Sequence, residues 1–128
     1  MSLRIVRLGT PRAANEGLRL GTVRRPPRGV RREDLARDDW YDVWLPQLSP
    51  SAELLKEAQD ASSEKEWQRF ARKYEAEMKE PDNARLIALL AALSKSTNLA
   101  AGCYCADETR CHRSLLRKLL EQAGAAME

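Results

Sequence analysis

Between Ser63 and Leu93 the apolar residues recur at the spacing of two consecutive α-helices, and this constrains the fold more than any other stretch. Ser63-Glu64-Lys65-Glu66 is a capping box, in which the serine holds the Glu66 amide and Glu66 reaches back. Trp67, Phe70, Ala71, Tyr74 and Met78 then form one apolar stripe. Pro81-Asp82 punctuates the chain, and Leu86, Leu89, Leu90 and Leu93 predict the inner face of the next helix, ending around Ser94 to Thr97.

Around this helical centre stand short segments with strand character. Arg4 to Leu8 alternates apolar and polar residues, as does "LRLGTVRR" from Leu18. Pro26 to Val30 reads as a loop, because consecutive prolines donate no ladder hydrogen bonds and Gly29 accepts positive φ. A helical turn is expected at Arg31 to Arg37, then a short strand from Tyr41 ended by Pro46, then a helix capped by Ser49 or Ser51. "NLAAGCYC" is short and weakly polar, as a buried strand is. Asp107 or Thr109 is a candidate N-cap for a closing helix lined by Leu115, Leu116, Leu119 and Leu120 and stopped at Gly124. The pattern predicts one α/β domain over residues 1–128, a small layered domain with a short, mostly parallel sheet flanked by helices.

Hydrophobic residues at 43% and charged residues at 32% suit a soluble chain, and no apolar run approaches the roughly 20 residues needed to span a bilayer. Three cysteines clustered at one end are a poor disulfide framework, so a reducing cytoplasm is expected. The net charge of +3 conceals an asymmetry: residues 1–37 hold ten arginines, no lysine and three acids, Glu16, Glu33 and Asp34. Arginine grips phosphate and carboxylate bidentately, so this third reads either as an anion site or as a solvated, internally paired face.

All three cysteines and the only histidine fall in "GCYCADETRCHRSLLRKLL", Gly102 to Leu120. In parallel α/β sheets, ligands sit beyond the carboxyl ends of strands, at helix N-termini. Arg110 and Arg113 add charge there, and the same field favours the thiolate of Cys111. Three readings of the cluster stay open. A metal site would use Cys103, Cys105, Cys111 and His112, but the spacing is C-x-C-x5-C-H, and adjacent residues on a helix diverge by about 100°. A nucleophile reading pairs Cys111 or Cys105 with His112 as base, oriented by Asp107 or Glu108. The plainest reading makes Cys103 and Cys105 small buried hydrophobes and His112 a capping or surface residue.

The chain resembles the YeaO-like family, a bacterial domain-of-unknown-function group, over nearly its whole length. "PPRGV" matches the family's W-P-R-G turn at Arg28 and Gly29, with proline where the family has tryptophan. "WLPQLSPSAELLK" matches L-A-P-S-x-E-L, and Trp67, Phe70 and Tyr74 match W-x-x-F-x-x-x-Y. Asp107 and Cys111-His112-Arg113 match an acidic loop leading to a histidine at the closing helix. The resemblance implies a small α/β domain with a parallel sheet, and it shifts any shared site from the sulfur to His112, Arg28 and Asp107. The expected function is therefore binding of a phosphate-bearing ligand, nucleotide or nucleic acid, by Arg28, Gly29, Arg110 and Arg113. His112 with Asp107 would supply acid–base chemistry, and no cofactor or metal is expected. The alternatives are a regulatory domain that binds an acidic partner through the arginine-rich third, and a Cys/His metal or redox site.

Overall fold

A computed structural model describes residues 1–105 and 111–128. Its strands are β1 (Leu3–Arg7), β2 (Leu18–Gly21), β3 (Val43–Trp44) and β4 (Leu99–Cys103), and its helices α1 (Ala52–Asp60), α2 (Glu64–Met78), α3 (Pro81–Leu93) and α4 (His112–Gln122). The strands form one sheet in the order β1-β4-β2-β3. Every pairing is parallel, with Leu3 opposite Leu99, Leu18 opposite Leu99 and Leu20 opposite Val43. The α/β expectation holds, and the sheet is parallel throughout. β4 enters last and lies centrally, which explains why all five of its residues are buried.

Alternation along the strands sorts the side chains between two environments. Leu3, Leu20, Leu99 and Ala101 join Leu54, Phe70, Tyr74, Met78, Ile87, Leu90 and Leu116 from the four helices in one core. The opposite face is covered by loops. Gly21 lies under the Tyr41 ring, where a Cβ would stand 2.4 Å from a ring carbon. Arg19, fully buried, donates to the Glu16 carboxylate and to the carbonyls of Thr10 and Asp39.

Ser63 caps α2, accepting from the Glu66 amide as the capping box predicts, and Ser51 caps α1. Pro81 sits in the first turn of α3, where its missing N–H costs nothing. Three local expectations are corrected. β2 stops at Gly21 rather than running to Arg25, and beyond it the Arg24 side chain donates to the carbonyls of Pro46, Ser49 and Pro50. Pro46 opens a 3₁₀ turn, Pro46–Leu48, instead of simply ending a strand. The buried face of α3 is Ile87, Leu90 and Ala91, whereas Leu89 and Leu93 are exposed. That helix is apolar nearly all round, so periodicity alone cannot choose its inward face; Ser94, buried and bonded to the Ala91 carbonyl and the Ala126 amide, helps set the rotation.

Candidate functional site

A cleft of about 900 Å³ opens at the carboxyl edge of the sheet. Its lining includes Arg7 at the end of β1, Arg25 and Arg28 after β2, Trp40, and Cys105 and His112 from the β4–α4 junction. The position follows from the topology, since parallel strands deliver all their following loops to one edge.

The arginines of residues 1–37 divide sharply. Arg4 pairs with Glu128, Arg12 with Asp39 and Asp42, Arg19 with Glu16, and Arg31 and Arg37 with acids of the turn at Glu33 to Asp38. Arg24 is spent on three carbonyls. Among the described residues, Arg7, Arg25, Arg28 and Arg32 have no carboxylate partner; the first three line the cleft, and Arg32 lies outside it. Tyr104 braces this rim by donating to the Arg25 carbonyl at 2.8 Å and accepting, through its own carbonyl, from Arg7 Nε. Trp40 packs edge-on against Tyr104 with ring centroids 5.8 Å apart.

At the inner end of the cleft the sulfurs and the imidazole converge. Cys103 Sγ and Cys111 Sγ lie 2.7 Å apart, and Cys111 Sγ lies 3.7 Å from His112 Nδ1. One ligand atom from each of Cys103, Cys111 and His112 falls within 4.8 Å of the others, and all three residues are buried. The expected divergence of adjacent Cys111 and His112 does not occur. Cys111 is the N-cap of α4, with extended φ −129 and ψ 151, so helical geometry does not yet govern its side chain. Asp107, Thr109, Glu108 and Arg110 lie outside the described residues.

His112 is held by β2. Its Nε2 lies 2.8 Å from the Thr22 carbonyl oxygen, which can only accept, so Nε2 carries the proton. The Thr22 hydroxyl, 3.2 Å away, accepts from the same N–H while donating to the Gly102 carbonyl. Nδ1 is left as the acceptor facing Cys111 Sγ. Burial pushes the imidazole down to about 4, against the pull of the Thr22 hydrogen bond, so it is neutral at pH 7 and offers an acceptor rather than an acid.

The thiols are graded by their mutual hydrogen bonds. Cys105 falls well below the ordinary thiol range because Cys103 and Cys111 donate to it, with the charges of His112 and Arg113 adding to the effect against burial. Cys103 rises, chiefly through donation to Cys105 and Cys111. Cys111 also ends higher: acceptance from Cys103 lowers it, but donation to Cys105 and burial outweigh that. Cys105 is exposed, while Cys103 and Cys111 are buried, so the two strand-end cysteines do not share one environment.

The predicted site residues are thus partly assembled. Arg28 and His112 share the cleft, and Gly29 adjoins it at φ 74 with open space beside its Cα. Arg113 is 4% exposed and reaches the Cys105 carbonyl from behind, so it backs the junction instead of lining the cleft. Arg7, Arg25 and Trp40 were not expected; the end of β1 and the segment between β2 and β3 hold them, and no short motif marks them.

A family model described as the active DUF488-N3 subclade, DUF488-N3a, matches residues 3–124. The chain belongs to this family. The matched DUF488-N3a region contains the cleft, its arginine rim and the whole cysteine–histidine junction. No curated protein and no solved structure matches the chain.

Proposed function

We propose that this DUF488-N3a protein binds a phosphate-bearing ligand, a nucleotide or a nucleic-acid segment, in the cleft at the carboxyl edge of its sheet. One observation carries the reading: apart from Arg24, held by three carbonyls, four arginines of the first third have no carboxylate partner among the described residues; three of them, Arg7, Arg25 and Arg28, line that cleft, and only Arg32 lies outside it. Planar guanidinium groups suit phosphate oxygens, and Trp40 and Tyr104 offer an aromatic wall for a base. The pairing of Arg4, Arg12, Arg19, Arg31 and Arg37 with acids favours a localised site over a broad face for an acidic partner. Within the family, the W-P-R-G-like turn and the C-H-R motif support reading the chain as YeaO-like, a bacterial cytoplasmic protein.

The test is titration of the full chain with a nucleoside monophosphate and a short single-stranded oligonucleotide, followed by calorimetry and by tryptophan emission. Arg25→Ala with Arg28→Ala should weaken binding roughly tenfold or more and flatten its salt dependence. Arg32→Ala, outside the cleft, should leave binding near the parent value. Undiminished binding in the double variant, or no binding of either probe by the parent, removes the proposal.

A further inference from the structure

We propose that Cys103, Cys105, Cys111 and His112 form a four-ligand site for a thiophilic divalent cation, zinc by preference, at the β4–α4 junction. Three thiolates and one imidazole are an ordinary ligand set for a closed tetrahedral zinc site. The proposal is independent of the anion cleft.

The geometry supplies the argument. Donor atoms of Cys103, Cys111 and His112 lie within 4.8 Å of one another. Cys105, two residues beyond Cys103, lines the cleft beside Cys103 and His112 and is the exposed member of the set. His112 is already oriented as a metal ligand: Nε2–H is fixed on the Thr22 carbonyl, and Nδ1 is directed at the cluster. Outer hydrogen bonds of this kind set the tautomer and ring plane of metal-bound histidines. The spacing that argues against the site in a continuous helix is resolved by the extended N-cap at Cys111.

Arg113 is the second, independent sign. It is 4% exposed, has no carboxylate partner among the described residues, and its buried Nε has no hydrogen-bond partner there. A buried guanidinium without a counter-charge is costly. Three thiolates and a neutral imidazole around a divalent cation carry one net negative charge, beside Arg113, which has no carboxylate partner among the described residues. Binding displaces the remaining thiol protons to solvent and needs no oxidant or reductant. Zinc–sulfur bonds of about 2.3 Å place tetrahedral sulfurs roughly 3.8 Å apart. Cys103 and Cys111, at 2.7 Å, therefore move apart by about 1 Å to admit the ion.

The experiment uses the full chain, isolated under reductant without a metal-affinity tag. Elemental analysis should find about one zinc per chain. After chelator treatment, titration with cobalt(II) should produce a thiolate-to-metal charge-transfer band and the visible absorption of a tetrahedral ion. Cys105→Ser, an exposed substitution, should retain the parent circular dichroism and weaken cobalt binding about tenfold or more. Reduced, folded protein that gives no cobalt spectrum overturns the proposal. So does a Cys103–Cys111 disulfide in freshly isolated, metal-free protein, or unchanged cobalt affinity in folded Cys105→Ser.

Discussion

His112 Nε2 donates to the Thr22 carbonyl oxygen at 2.8 Å, joining the first turn of α4 to the end of β2 across 90 residues of chain. The Thr22 hydroxyl sits at the centre of this junction, between the imidazole N–H and the Gly102 carbonyl of β4. Thr22→Val keeps the shape and removes the hydroxyl. Because the Thr22 amide also donates to the Gly102 carbonyl, no backbone group is orphaned. The expected loss is about 1 kcal/mol in urea unfolding, with an unchanged denaturant slope. Parent stability in this variant would show that the hydroxyl does not hold the junction.

Glu16 and Arg19 form an ion pair that is 3% and 0% exposed. Removing one partner leaves a buried charge, so Glu16→Gln should cost about 3–5 kcal/mol at pH 7. Burial raises the Glu16 carboxyl, but the hydrogen bonds and charge of Arg19 outweigh it and leave Glu16 below its ordinary value of 4.5. Stability from this lowered carboxylate is complete above that ordinary value. It is lost as pH falls through the folded-state value. Asp42, held low by Arg12 and the Arg19 amide against its own burial, acts in the same direction. Parent protein should therefore weaken progressively below pH 4.5, and Glu16→Gln should show a shallower slope there. Equal slopes in a pH series of thermal melts would contradict the assignment.

Gly17 and Gly29 both have positive φ, at 80 and 74, but a Cβ at Gly17 would lie 1.9 Å from the Asn98 carbonyl oxygen, whereas Gly29 faces open space. Gly29→Ala should cost only the left-handed strain, about 1–2 kcal/mol. Gly17→Ala adds a clash with backbone that cannot rotate away, and should cost at least about 3 kcal/mol or prevent folding. Paired denaturation curves of the two variants provide the check, and equal losses would refute the contrast.

Arg24 donates to the carbonyls of Pro46, Ser49 and Pro50, each at 3.0 Å. Arg24→Met preserves the apolar stem and removes all three bonds. Solvent access to this half-buried site limits the expected loss to about 2–3 kcal/mol. Because Arg24 anchors the segment that carries Arg25 and Arg28, probe affinity should fall in the folded variant as well. Unchanged melting would show that these carbonyls are satisfied without it.

The layered α/β class was readable because its signals are local. The Ser63–Glu66 box starts α2 through contacts within one turn, and Trp67, Phe70 and Tyr74 repeat at helical spacing. The inward face of α3 was less readable: its leucines satisfy two adjacent stripes equally, and only packing selected Ile87, Leu90 and Ala91 over Leu89 and Leu93. The strand–helix junction at Cys103 to Arg113 was visible as a cluster of rare side chains. Its internal geometry was not, since one extended residue at Cys111 changes which side chains converge.

Sequence alone determined the helices, the strand segments, the crowding of cysteine and histidine before α4, and the surplus of arginine in the first third. Tertiary structure decided which arginines remain available. Arg12 finds Asp39 and Asp42, which approach only after the loops fold over the sheet, while Arg7, Arg25 and Arg28 are carried to the shared carboxyl edge. It also decided that His112 is a buried, neutral group with one fixed proton, because its partner Thr22 lies just beyond β2, far from α4 in the chain. Local sequence sets backbone preference and side-chain chemistry; charge pairing and burial depend on contacts between distant segments, and those exist only in the folded chain.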